Sequence, residues 1–168
     1  MDLFFLKYNI REEMKKNDYS WQEILFALRN KIVTVEDVIE YATYIINDDT
    51  MGFDIVLEVT CLHGDEDIYP YLHQLIMLED SQDIADIKDR WLYLILKWLY
   101  GKRSDIENVL EIVEEIYELF DYPDSITSFV RYMPSEAGDL GSLELNRERL
   151  FKNWSNYLEL FEEEHLIK

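Results

Sequence analysis

The chain has 168 residues, 48% of them apolar and 14% aromatic, and a formal charge of −20 at neutral pH. That apolar content excludes low-hydrophobicity disorder, and the length predicts a single domain, residues 1–168, able to bury roughly 70% of its unfolded surface. The charge argues against nucleic acid and anionic lipid as partners, because a field of one sign repels ligands of the same sign.

The charge is unevenly spread. Residues 32–87 contain fourteen acids and no lysine or arginine. Protein surfaces ordinarily intersperse both signs. A solvated surface would account for some of these acids, but the complete absence of counter-bases over this window favours a face for a basic protein partner. The acids best placed to reach one lie in or beside loops: Asp48 and Asp49, Asp65, Glu66 and Asp67, and Glu79 and Asp80.

Taken in chain order, the apolar spacing is helical almost throughout. Residues 3–10 fit a strand or a helix equally. Met1-Asp2-Leu3-Phe4-Phe5-Leu6 opens on an acid and lacks the features of a secretory leader, so a cytoplasmic protein is predicted. Ser20-Trp21-Gln22-Glu23 is a capping box ahead of Ile24, Leu25 and Leu28. Thr34-Val35-Glu36-Asp37 is a weaker version ahead of Val38, Ile39, Ala42, Ile45 and Ile46, spaced by three and four. Further helices are predicted near 53–62, 68–78 and 84–100, with Pro70 in a first-turn position. Trp91 to Tyr100 is interrupted only by Lys97 and reads as a helix buried on most sides. It is half the length needed to span a bilayer, about 20 residues.

Ser104-Asp105-Ile106-Glu107 reads as another full capping box. Behind it, Ile106, Val109, Leu110, Val113, Ile116, Tyr117 and Phe120 form one face. Pro123 opens a short helix that should stop near Tyr132. Residues 134–142 hold two glycines and a proline and form the best loop, predicted flexible. The last helix starts near Ser142 and presents Leu150, Trp154, Tyr157, Leu158 and Phe161. No stretch alternates over five or more residues. The prediction is an all-α fold of seven to nine helices, arranged as a bundle or a short array of helix pairs.

Chemistry is thinly represented. Cys61 is the only cysteine, which rules out an internal disulfide and fits a reducing compartment. Cys61, His63 and His73, with Asp65 or Glu66, lack the paired spacings of a zinc site, so no metal is predicted. Cys61 is expected to pack and His63 to end a helix. Asp48-Asp49-Thr50-Met51-Gly52 lacks the alternating oxygens and closing glutamate of a calcium loop. The five glycines form no phosphate-binding motif. No catalytic residue, cofactor or small-molecule substrate is predicted. Trp21, Trp91, Trp98 and Trp154 all lie on or beside apolar stripes and are expected in the core.

Two segments carry a resemblance. Ile116-Tyr117-Glu118-Leu119-Phe120-Asp121-Tyr122-Pro123, followed by Phe129-Val130-Arg131-Tyr132-Met133-Pro134, resembles the hallmark of a family of uncharacterised bacterial proteins known only as a domain of unknown function. Trp91 to Tyr100 and the Ser20-Trp21 helix agree with it. The resemblance implies a small cytosolic bacterial protein and supplies no catalytic residues. Small acidic proteins of this kind are similar in character to immunity proteins that neutralise bacterial toxins such as nucleases, an analogy of class alone. A helical scaffold or adaptor is the competing expectation, and an enzyme with a non-obvious site a third. In the hallmark, Phe129 and Val130 are expected to pack, and Arg131 to pair with an acid of the preceding helix.

Overall fold

A computed structural model describes residues 10–166 of the chain, apart from the Leu166 side chain. The open question at residues 3–10 therefore lies outside the described residues except at Ile10, which is helical. Every regular element among the described residues is a helix. They are α1 (residues 10–14), α2 (Trp21–Arg29), α3 (Val35–Ile45), α4 (Phe53–Thr60), α5 (Tyr69–Ile76), α6 (Ile84–Gly101), α7 (Val109–Leu119), a 3-10 helix (Asp124–Phe129) and α8 (Leu143–Leu166). The chain divides into two compact units, Met1–Trp91 and Leu92–Lys168, and the division falls inside α6.

In the first unit, both predicted capping boxes form. Ser20 and Thr34 accept from the backbone N–H three residues on, and Glu23 and Asp37 reach back to the N–H of the cap residue. Such reciprocal caps satisfy donors that a helix start leaves orphaned. α3 packs on α4, α4 on α5, and α5 on α2. Gly52 caps α4 with a φ of 70°, and a Cβ there would meet Leu75 and Leu78. A side-chain-free residue therefore lets the turn after α3 press against the end of α5. Pro70 occupies the first turn of α5, where its missing N–H costs nothing. The Tyr19 ring stacks on Trp91 at 5.0 Å, and the Trp91 indole N–H donates to the Glu23 carbonyl at 3.0 Å.

In the second unit, α6 contributes Leu92, Ile95, Leu96, Trp98 and Leu99, all buried, while Lys97 is exposed. Leu94, on the same stripe, is only half-buried. α7 buries Val109, Leu110, Val113, Ile116 and Tyr117. Trp154 of α8 is fully buried and stacks on Phe129 of the 3-10 helix at 5.7 Å. All four tryptophans are core residues.

Four expectations need correction. The capping box at Ser104 does not form. α7 begins at Val109 behind Asn108, whose left-handed φ of 58° breaks the helix before it reaches Ser104, and no side chain caps it. Asp105 and Glu107 thus lie in turns and not on the first turn of a helix. The segment after Pro123 is a 3-10 helix ending at Phe129, short of Tyr132. Cys61 is exposed, because it follows the last residue of α4 and faces out of the stripe formed by Val56 and Val59. His63 lies in the loop beyond α4, and its backbone N–H donates to Glu66 at 2.9 Å.

The 134–142 segment is a loop, with Gly138 and Gly141 at positive φ. Asn146 of α8 accepts from Leu140 N at 3.1 Å and donates to Asp139 at 2.8 Å, and Arg149 donates to the Gly138 carbonyl at 2.5 Å. Asp139 also accepts from Gly141 N. The Asn146 bond, that backbone bond and the charge of Arg149 hold its carboxyl below the usual carboxylate range.

Candidate functional site

The window without lysine or arginine is served by bases from outside it. Arg11 donates to Asp37 at 2.7 Å and reaches Glu40 at 3.1 Å, and Lys15 pairs with Glu40 at 3.0 Å. These contacts raise the pKa of Arg11, chiefly through the Asp37 hydrogen bond. Asp37 is thereby committed to the fold.

Glu79 is also engaged. One carboxylate oxygen accepts from Trp21 N at 2.6 Å and the other from Gln22 N at 3.2 Å, at the positive end of α2. Gln22 and Gln82 extend the clasp: Gln22 donates to the Asp80 carbonyl at 2.7 Å and accepts from Gln82 N at 3.0 Å. Glu79 therefore holds residues 79–82 against α2, while the Asp80 side chain remains exposed beside it.

This clasp forms one wall of a groove of about 630 Å³. Trp21, Met51, Leu75 and Leu78 give it an apolar floor, and Glu79 and Asp80 supply its charged groups. Met51 is 66% exposed and Leu78 46% exposed, so the groove is open. Asp48 and Asp49 are exposed in the turn that leads into Met51. The Asp49 N–H closes that turn by donating to Asn47 at 2.9 Å. An apolar centre with a charged rim is the composition of protein-binding surfaces.

Asp65, Glu66 and Asp67 do not join this groove. They occupy the loop after α4, where the Gly64 backbone lies against the Glu36 side chain. Glu66 accepts from His63 N at 2.9 Å and Asp67 from Tyr69 N at 3.1 Å, so the latter tethers the start of α5. Asp65 has no side-chain partner among the described residues. The sequence thus named the acids around the groove but missed Met51, Leu75 and Leu78 as its floor. The available signal was Met77-Leu78: two large apolar residues running past the end of the α5 stripe, both exposed.

A larger cleft of about 1080 Å³ lies in the second unit. Val130, Arg131, Met133 and Pro134 of the hallmark line it, with Arg147 and Arg149 opposite Glu136 and Asp139. Arg131 is held bidentately by Glu114 at 2.7 and 2.9 Å, the pairing expected from the sequence, and Phe129 and Val130 are buried as expected. Lining arginines and lining acids roughly cancel, and no histidine or cysteine faces this space.

The residues that invited a metal reading make other contacts. The hydrogen-bond contact of Cys61 Sγ is Thr60 Oγ1 at 3.9 Å, and His73 Nε2 lies 3.5 Å from Arg29. Among the described residues no group of three or more His, Cys, Asp or Glu could hold a metal ion. No helix among them is long and apolar enough to cross a membrane.

Comparison with known proteins matches residues 11–162 to the family described as an uncharacterized protein conserved in bacteria (DUF2247). The chain belongs to this family. The DUF2247 match covers both compact units, including the groove in the first and the hallmark segments in the second. No curated protein and no solved structure matches the chain.

Proposed function

We propose that this chain is a binding protein and not an enzyme, and that it occludes a basic protein partner through the groove beside Asp48, Asp49 and Asp80. An immunity protein that neutralises a bacterial toxin, such as a nuclease, is the partner relationship that best fits its character. It would act in the bacterial cytoplasm, with no nucleic acid, cofactor or metal involved. One observation carries the reading. An open apolar groove has the exposed Asp80 on its wall and Asp48 and Asp49 in the turn that leads into Met51, in a stretch where the chain offers no lysine or arginine. Lysines and arginines that a nuclease uses to hold phosphate would meet carboxylates, and Met51 and Leu78 would supply the desolvated centre.

The test begins with a pull-down from the native host and then follows binding kinetics across a salt series. Complementary charge should raise the association rate above the neutral range of about 10⁵–10⁶ M⁻¹s⁻¹ at low salt. The rate should fall as the screening length shortens to roughly 8 Å at physiological ionic strength. Reversing Asp48, Asp49 and Asp80 to lysine should slow association, Met51→Glu should speed dissociation, and a captured enzyme should lose activity when bound. A rate indifferent to salt and to these variants would put the scaffold reading ahead.

A further inference from the structure

The two halves of the hallmark meet on one buried tyrosine. Tyr117 of α7 is 4% exposed, and Tyr122 and Tyr132 flank its ring at 5.2 and 6.2 Å. Each flanking tyrosine is more than half exposed. Tyr122 comes from Phe120-Asp121-Tyr122-Pro123, and Tyr132 from Phe129-Val130-Arg131-Tyr132-Met133-Pro134. The Tyr117 hydroxyl is directed to Met133 Sδ at 3.9 Å.

The backbone holds this arrangement at a cost. α7 ends in a Schellman turn: Tyr122 N donates to the Tyr117 carbonyl at 2.9 Å and Asp121 N to the Glu118 carbonyl at 3.1 Å. Glycine usually takes the left-handed position of such a turn, yet here Asp121 has φ 62° and Tyr122 follows at φ 56°. Two successive side-chain-bearing residues in that region are unfavourable. A helix could end more cheaply on glycine, so helix termination alone does not explain these residues. What they achieve is to turn Tyr122 back over Tyr117 and keep its ring open to solvent.

The unpaired charges beside the rings are negative. Glu118 and Asp121 are exposed, and no base of the described residues pairs with either. Arg131, the nearest base in the sequence, is already held by Glu114 and lies 3.7 Å from Glu111. Desolvation, and then the negative charge of Glu118, push the Tyr132 hydroxyl up. Ring faces and unpaired carboxylates together attract a cation.

We propose that Tyr122 and Tyr132, braced by the buried Tyr117 and accompanied by Glu118 and Asp121, form a seat for an arginine or lysine side chain of a protein partner. The seat belongs to the second unit and shares no residue with the groove of the first. It does not require the occluding role proposed for that groove.

A hexa-arginine peptide is a suitable probe, because no natural partner is needed. Its affinity for the full chain is measured by calorimetry, and the tyrosine rings are followed by NMR. In the wild type, the ring signals of Tyr122 and Tyr132 and the peptide's arginine methylenes should shift together on titration. Tyr122→Leu with Tyr132→Leu keeps the apolar bulk and removes the rings, and should weaken binding about tenfold. Tyr122→Phe with Tyr132→Phe keeps the rings and should bind like the wild type. The Asp48, Asp49 and Asp80 reversals should leave the ring shifts in place, so failure at the groove and failure here read differently. Equal affinity of the leucine variant and the wild type, or loss in the phenylalanine variant, overturns the proposal. If the leucine variant melts early, the wild-type rings decide: signals that stay still on titration end it.

Discussion

Two sets of carboxylates in the first unit have opposite fates. Glu23 and Asp37 are 4% and 3% exposed, and each sits at the third position of a capped helix and binds an arginine of another element. Asp48, Asp49 and Asp65 lie in turns, exposed to solvent and without a base among the described residues. The residue type and the excess of negative charge are shared. Only the first set holds the fold together. A count of acids therefore says little about which are free to meet a partner. The position within a helix start says a great deal.

Stability measurements separate the two sets of carboxylates, and a core deletion sets the scale. Leu96 is 0% exposed, and Leu96→Ala should cost about 2–5 kcal/mol in urea unfolding. The half-buried Leu94 should cost less. Glu23→Ala should cost about 2–3 kcal/mol, because it removes the reach-back of a cap and leaves Arg90 the Asp18 carbonyl and the Tyr19 ring among the described residues. That figure sits below the usual cost of breaking a buried pair because the Arg90 side chain is 35% exposed. A Glu23→Ala chain that unfolds like the wild type would erase the distinction.

Alkaline pH probes the same corner. Burial pushes the Tyr19 hydroxyl far above its ordinary value of 10.0, and Tyr41 is raised as well. The folded chain thus keeps protons that the unfolded chain releases. This contribution is complete below about pH 10 and is lost as pH rises beyond it, by about 1.4 kcal/mol per pH unit for Tyr19. Tyr19→Phe should flatten the decline in unfolding free energy between pH 10 and 11. Asp37→Ala should cost about 1 kcal/mol, since Arg11 retains Glu40 and its side chain is 41% exposed.

At the small end, Asp48→Lys with Asp49→Lys should move stability by no more than about 0.5 kcal/mol, and upward if self-repulsion dominates. Asp65→Lys should behave likewise. Asp67→Lys should not, because it releases the Tyr69 N–H at the start of α5. Melting curves of these three variants would show whether the loop acids are uniformly free.

What could be read from the sequence was what is local. The boxes at Ser20 and Thr34 span four residues each, and both formed. The pairing of Arg131 with Glu114 joins neighbouring elements seventeen residues apart. The box at Ser104 carries the same serine-to-glutamate spacing but no helix starts behind it, because Asn108 turns left-handed and α7 begins only at Val109. The capture of Glu79 by Trp21 and Gln22 joins residues almost sixty positions apart and has no local signature. The groove floor was hidden for the same reason: Met51 and Leu78 line one groove where Gly52 allows a close approach of its turn to Leu75 and Leu78. Trp154 and Leu158 marked the buried face of the last helix because their spacing repeats, whereas the exposure of Cys61 depended on where α4 stops.

Met51 gives the groove a chemical lifetime. A thioether this exposed is open to peroxide, and its sulfoxide is polar and chiral. Met77, 83% exposed and one residue from Leu78, would oxidise alongside it. Neither lies in the buried core, so an aged sample should keep its melting temperature while its groove becomes wet. Storage history, read as a mass increase of one or two oxygens, would then separate preparations that fold identically and bind differently. Methionine sulfoxide reductase should return the older to the state of the younger.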